Sequence, residues 1–348
     1  WQLNPNYTER LARNIERFTT TGAPPGLATE RELGNRVLEQ WNNGARRTLC
    51  GDIDQSTRES RFDLELQDTL SLSDSLRLVS GLNYRYDRAD SETYFNGTLN
   101  DTTWRTFGQL EWRATEHWLL QGGAMFEDPR LIGSSLTPRL AINYLINPRH
   151  GLRAVYSEAI RSPDMFENNV NWSYRVTNLR PSAYGQSSAR YFVRTRGPGD
   201  LEQEHMRSRE LGYNGYFIEL GLALDVKVFH DEISGMISEP LRNNQYIASN
   251  ANQARFTGAE TQMDWSINRT DRLRLTYAYV DAHASNPEDE LQTARNSGSA
   301  GWLRDWGHGW NSALFYYGND ALNGYRFERV DTRIAKRIQL GKASLELA

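Results

Sequence analysis

The chain has 348 residues, a formal charge of −4 and a mean hydropathy of −0.70. Its longest uninterrupted apolar run is five residues, 313–317, far short of the ~20 that a membrane-spanning helix needs. An aromatic share of 11% argues against disorder, a near-neutral balance against a general nucleic-acid-binding surface, and the single Cys50 against an internal disulfide framework or a multi-cysteine metal site.

Residues 1–56 read as a large external loop preceded by the stump of a strand. Within them, 28–49 has helical spacing, with Leu33, Val37, Leu38 and Trp41 near one face. Thr29 and Glu32 have the spacing of a capping box, and Pro24-Pro25-Gly26 breaks the chain before it.

From residue 57 onward the period is two. Phe62, Leu64 and Leu66 alternate with Asp63, Glu65 and Gln67, and Leu76, Leu78, Leu82, Tyr84 and Tyr86 with Arg77, Asn83 and Arg85. Further along, Trp104, Leu110 and Trp112 alternate with Arg105, Gln109 and Glu111. Leu220 to Val228 keeps its apolar residues on one face and Asp225 and Lys227 on the other. Leu273, Leu275, Tyr277 and Tyr279 repeat the pattern. Alternation of this kind places one face in an apolar phase and the other in water.

About 14 such strands are legible in 57–348, many of them longer than the roughly 5–6 residues usual in soluble sheets. Their connections fall into two sets that take turns along the chain. Tight ones are expected at 73–75, 114–117, 147–150, 268–271 and 307–309, and longer ones at 87–102, 128–134, 161–205, 231–253 and 281–293. Membrane barrels sort their connections in this way, with short periplasmic turns and long extracellular loops. Trp104, Trp112, Trp118, Tyr144, Tyr156, Trp265, Trp302, Trp306 and Trp310 fall near strand ends, where interfacial girdles are expected. The fold class is therefore all-β, an antiparallel transmembrane β-barrel.

Three stretches carry a family resemblance. Residues 155–167, with Tyr156, Arg161, Pro163 and Glu167, resemble the strand-to-loop signature Y-S-x-A-F-R-x-P-x-L-x-E of TonB-dependent outer-membrane receptors, with Ile160 for the usual Phe. Leu201-Glu202-Gln203-Glu204 followed by Glu210-Leu211-Gly212-Tyr213 is similar to the family's L-K-P-E and E-L-G-Y, with Gln203 in place of Pro. Gly258 and Glu260 match the strand motif G-x-E. No chemistry is assigned to these motifs. Proline after a long strand ends pairing because it lacks an N–H, and glycine within a strand marks a bend or a close approach.

The resemblance implies a 22-stranded barrel in the bacterial outer membrane, filled by an N-terminal plug. On that pattern residues 57–348 read as a middle-to-late portion of the barrel, without the plug, the energy-coupling box or the final strands. The implied activity is uptake of a scarce chelate, foremost a ferric siderophore, energised by the TonB complex through the plug. Iron would arrive within the chelate, so no resident cofactor or metal site is expected. Lipid and lipopolysaccharide are the implied surroundings, nucleic acid is not an expected partner, and no bond-making chemistry is expected.

The candidate ligand contacts lie in the connection 161–205. Its stretch 171–199 has no Asp or Glu but carries Arg175, Arg180, Arg190, Arg194 and Arg196, interleaved with Trp172, Tyr174, Tyr184, Tyr191 and Phe192. Arginine supplies charge and planar donors, and aromatic rings supply stacking surface at low entropic cost. The same composition suits a solvated loop near lipopolysaccharide phosphates, and both readings stand. The connection 238–256 is rich in amides suited to a hydroxylated ligand or to ordinary polar turns. His230, Asp231, Glu232 and Ser234 include hydrolase residue types, but no nucleophile elbow surrounds the serine. Rival readings are a passive porin or substrate-specific channel, a docking barrel, and uptake of haem, cobalamin or an oligosaccharide.

Overall fold

The computed structural model describes residues 6–10, 13–19, 48–180, 182, 186–238, 248–341 and 343–348, with side chains from Cys50 onward apart from Tyr191, Phe192 and Arg194. The strands begin with β1 (Asn6–Arg10), β2 (Arg13–Thr19), β3 (Thr48–Asp54), β4 (Thr57–Ser73), β5 (Leu76–Ser91) and β6 (Gly97–Arg113). They continue with β7 (Trp118–Pro129), β8 (Ser135–Asn147), β9 (His150–Arg161), β10 (Asn171–Arg180), β11 (Ala189–Arg196), β12 (Glu204–Phe217) and β13 (Leu222–Met236). The last six are β14 (Asn252–Ser266), β15 (Asp271–Ala284), β16 (Asn296–Gly307), β17 (Trp310–Leu322), β18 (Tyr325–Leu340) and β19 (Ala343–Leu347). Two short helices, α1 (Met165–Asn169) and α2 (Pro287–Glu290), sit in connections.

Fifteen strands form one antiparallel sheet in the order β1, β4 to β9, then β12 to β19. Fourteen of them come from residues 57–348, as the alternation predicts. A second sheet of four strands, ordered β11-β10-β3-β2, is built from the two longest connections of the first. Residues 161–205, expected as a loop, therefore contain two strands and a helix. The alternation of Trp172, Tyr174 and Val176 with Ser173, Arg175 and Thr177 in β10 is short and lies among arginines, which masks it as a strand signal. The helix expected over 28–49 falls on residues 28–47 outside the described ones, and Thr48 and Leu49 open β3.

Register in the large sheet is nearly unbroken, so one face stays apolar from strand to strand. One outward row reads Leu64, Tyr84, Trp104; another reads Ala154, Leu211, Val228, Ala259, Tyr279. These outward side chains are open, Leu211 at 62% and Leu66 at 58%, while the sheet's buried residues include Asn83, Asp101, Thr103 and Glu127. This inverts a water-soluble fold, and it is stable only where lipid covers the outside. Trp104 rests on Tyr84 with ring centres 4.7 Å apart, and Trp118 on Tyr144 at 4.7 Å. His150 and Tyr213 meet at 2.7 Å near the tight turns.

Inward, the polar residues pair across strands. Arg61 and Arg85 share Asp87 at 2.6 and 2.5 Å, and Arg105 binds Glu127. Arg153 donates to Glu210 at 2.7 Å, and Lys227 reaches Glu260 at 2.9 Å. A charge facing a narrow polar lumen is thereby compensated by a neighbour in register.

The two ends of the sheet differ as expected, with two refinements. Strands β5 and β6 continue to Ser91 and from Gly97, so the connection expected over 87–102 shrinks to 92–96. Both faces of that segment are polar, so pairing persists where the apolar signal stops. At the same end, Asn323 and Gly324 (φ 51° and 79°) close β17 onto β18 in a two-residue turn, the geometry that Asn-Gly favours.

Candidate ligand cavity

Strand β9 ends where its sequence says it must. Arg161 is its last residue, Ser162-Pro163 cannot continue the ladder, and Asp164 caps α1. The cap is reciprocal: Glu167 N–H donates to Asp164 Oδ1 at 2.6 Å, and Asp164 N–H donates to Glu167 Oε2 at 2.9 Å. Arg161 then joins three elements. Its Nε and Nη2 donate to the two carboxylate oxygens of Glu204 on β12 at 2.8 and 2.7 Å, and its Nη1 reaches both oxygens of Glu167 at 3.1 and 3.0 Å. The family residues Arg161, Pro163 and Glu167 thus form a clamp that fixes the departure of the chain from the sheet.

After α1 the chain enters β10, which is fastened to the short connection 92–96. Asn171 N–H donates to the Tyr94 carbonyl and Ser173 N–H to that of Thr93, both at 2.8 Å. This brings together aromatic rings distant in sequence. Tyr94 lies 5.9 Å from Phe166 and 5.3 Å from Trp172, both edge-on, and Trp172 is 5.9 Å from Tyr174. Tyr94, Phe166 and Trp172 line the upper wall of a cavity of about 1580 Å³ on the inward face of the large sheet. The lower wall is formed by the paired charges Arg61, Arg85, Asp87, Arg105 and Glu127, with Arg161 at the rim. Glu127 also accepts from Ser162 Oγ at 3.1 Å, which ties the wall to the clamp.

The structure distributes the sequence-derived candidates unevenly. Trp172 is at the cavity wall. Tyr174 packs against a small core of Ile53, Val176 and Leu179, between β3 and β10. Arg175 is exposed and directly opposite Arg190 in the β10–β11 register. Arg190 is engaged: it donates to Asn96, to Ser173 Oγ at 2.9 Å and to Glu92 at 3.0 Å. Arg196 is exposed and lies opposite Asn171. Tyr184 lies outside the described residues, as do the side chains of Tyr191 and Arg194, which are placed only as backbone in β11. Tyr94 and Phe166 were missed from sequence. Phe166 stands one turn beyond the Pro163 motif, and Tyr94-Phe95 is an aromatic pair inside a polar connection, which is the signal that was available.

The remaining family motifs are structural. Glu210 accepts from Arg153, and a Cβ on Gly212 would come within 2.7 Å of the Arg153 Nε. Leu211 points outward beside them. A Cβ on Gly258 would lie 2.6 Å from the Phe229 ring and against the Tyr279 carbonyl. Tyr156 donates to Glu158 on the outward face. His230 and Asp231 are consecutive in β13 and so face opposite sides, and His230 Nδ1 contacts Thr257 Oγ1 at 2.8 Å. Among the described residues, no group of three His, Cys, Asp or Glu could hold a metal ion.

Comparison with known proteins places this geometry. The siderophore receptor PirA from Pseudomonas aeruginosa superposes with a TM-score of 0.65 at 12% identity, covering 98% of this chain and 60% of that one. A double mutant of the Serratia marcescens hemophore receptor HasR, in complex with its hemophore HasA and heme, gives 0.63 at 16% identity, covering 84% and 56%. By sequence, the iron-regulated outer membrane virulence protein of Vibrio cholerae is 23% identical over 252 residues, 69% of this chain. The vitamin B12 transporter BtuB of the same organism is 32% identical over 71 residues, 20% of the chain. The matched stretches span 35% and 11% of those two relatives. The family model for the TonB dependent receptor-like β-barrel matches residues 1–346. With its lipid-facing rows, polar lumen and sorted connections, the chain belongs to the TonB-dependent receptor β-barrel family of the bacterial outer membrane.

Proposed function

We propose that this barrel serves an active transport receptor for a ferric siderophore, energised through TonB. The observation that supports it most is the aromatic wall of Tyr94, Phe166 and Trp172 above a cavity of about 1580 Å³. The arginines lower in that cavity are already paired with carboxylates, so they supply a polar floor and not a free anion site. Recognition of a planar, aromatic chelate would therefore rest on ring contacts, with Arg175 and Arg196 exposed on the second sheet to attract its negative charge.

The test uses the full-length receptor purified in detergent. Tryptophan emission is followed during titration with ferric siderophores, their iron-free forms, haem and cobalamin. Saturable quenching by a ferric siderophore, weakened several-fold and up to about tenfold by Trp172→Ala, is the expected result, since aromatic pairs carry about 0.5–1.5 kcal/mol beyond the area they bury. Binding of haem or cobalamin alone would move the protein to the cargo class suggested by the names of HasR or BtuB. Binding of none, with open conductance in planar bilayers, would favour a passive channel.

A further inference from the structure

Tyr94 and Trp172 stand on different elements, the turn 92–96 and β10, yet their ring centres lie 5.3 Å apart. Two backbone bonds join the elements, from Asn171 N–H to the Tyr94 carbonyl and from Ser173 N–H to that of Thr93. Behind those bonds lies a polar knot. Asn96 has φ 54°, a left-handed conformation that asparagine tolerates, and both ends of its amide are engaged by the second sheet. Its Nδ2 donates to the Asn171 carbonyl at 3.1 Å, and its Oδ1 accepts from Ser173 Oγ at 2.7 Å and from Arg190 Nη1. Ser173 is fully buried. Arg190, on β11, closes the knot: Nη1 also donates to Ser173 Oγ at 2.9 Å, and Nη2 donates to Glu92 Oε2 at 3.0 Å. Thr93, also buried, donates from Oγ1 to the Asp54 carbonyl at 2.6 Å, which ties the same turn to the end of β3.

The knot calls for arginine. One planar guanidinium meets an amide oxygen, a hydroxyl and a carboxylate at once, and a lysine ammonium has no such fork. Arg190 also lies directly opposite Arg175 in the β10–β11 register, where like charges repel, and the contact with Glu92 offsets that cost. Tyr94, Phe95 and Trp172 line the cavity, whereas Glu92, Asn96, Ser173 and Arg190 do not. We infer, on the reading of that cavity as the chelate site, that Arg190 is a positioning residue: it locks the turn 92–96 onto β10 and so presets Tyr94 against Trp172 without touching the chelate. Rings held in place before binding need less ordering when a ligand arrives. Charge alone would give the opposite signs. If Arg190 drew in an anionic chelate, Glu92 would oppose it, so Glu92→Gln would tighten binding and Arg190→Lys would preserve it. As parts of one lock, both substitutions weaken binding.

The test uses the full-length receptor in detergent, with a ferric tris-catecholate and a ferric trihydroxamate siderophore as probes. Two quantities are measured: the Kd of whichever probe binds, and acrylamide quenching of Trp172 without ligand, taken as the difference from Trp172→Phe in each background. Arg190→Lys and Glu92→Gln should each raise the Kd about threefold to tenfold, the ordering cost of one side chain, and open Trp172 to acrylamide. Heat-shifted gel mobility confirms folding. Should Arg190→Lys fail to fold, Glu92→Gln decides, since the Glu92 side chain is largely exposed, at 59%. An unchanged Kd with Arg190→Lys, or tighter binding with Glu92→Gln, overturns the positioning role and makes Arg190 an electrostatic contact. If neither probe binds the unaltered receptor, the siderophore reading fails separately. The lock is then judged by Trp172 quenching alone: greater quenching in both variants supports it, and unchanged quenching overturns it.

Discussion

Arg161 shows how a family motif can be conserved in type without doing chemistry. Its four hydrogen bonds are divided between two carboxylates on different elements, Glu204 and Glu167. Replacing it by Gln leaves those carboxylates facing each other across the clamp. At this half-exposed site we expect a loss of about 1 kcal/mol, read as a lower urea midpoint at unchanged slope. Gly258 makes the opposite kind of demand, for absence of a side chain. Gly258→Ala would press a methyl group on the Phe229 ring and the Tyr279 carbonyl, and about 1–3 kcal/mol of destabilisation is expected in the same unfolding assay. An unchanged midpoint would show that the Phe229 ring yields freely. Both residues were legible from sequence, Arg161 as a signature position and Gly258 as a glycine inside a strand. Their partners were not, because Glu204 is 43 positions from Arg161 and Tyr279 is brought to Gly258 only by register.

At the scale of elements, alternation located strands wherever one face meets lipid. It failed where both faces are polar. The extensions of β5 and β6 beyond the apolar band are held by backbone pairing and carry no periodic signal, whereas β10 alternates Trp172, Tyr174 and Val176 with Ser173, Arg175 and Thr177 over a run too short to stand out from the arginine-rich stretch around it. The second sheet could not be anticipated from composition, since it pairs β3 with β10 over more than a hundred residues. Local turn chemistry was readable in principle: Asn323-Gly324 is a two-residue hairpin signal. Gly324→Ala places a Cβ at φ 79°, and a loss of about 1 kcal/mol with slower formation of the heat-resistant gel form is expected. Asn323→Gly should be nearly neutral, which separates the backbone requirement from any contact of the asparagine.

For the whole molecule, the ruling constraint is that apolar side chains stay outward from strand to strand of the large sheet, among the described residues. Val226 lies midway between Leu224 and Val228 on that face. Val226→Arg should destabilise the folded barrel by about 2–4 kcal/mol in bilayers, and much less if the position lay near an interface. Urea titration in lipid vesicles checks it, and a loss below 1 kcal/mol would place the band elsewhere along the strands. A polar lumen follows from the same alternation, but its charges are paired in ways that matter for function. Read as a sequence, the arginine-rich stretch suits a ligand pocket or a solvated loop near lipopolysaccharide phosphates. In the fold Arg190 is committed to Asn96, Ser173 and Glu92, and Tyr174 to a small core, while Tyr94, Phe166 and Trp172 stand at the cavity together with its paired charges.

The sequence by itself determined the architecture: a period of two sustained over many strands, with short and long connections in turn, admits an apolar outside and a polar inside, and little else. It also supplied the family, through motifs whose order and spacing survive wide divergence. What the tertiary structure decided is which residues meet. Tyr94 and Phe166 reach Trp172, and Arg161 finds Glu204, through strand register and through a second sheet folded from the long connections. Register is a property of pairs of strands, set by hydrogen bonds between segments far apart in the chain, and local composition does not encode it.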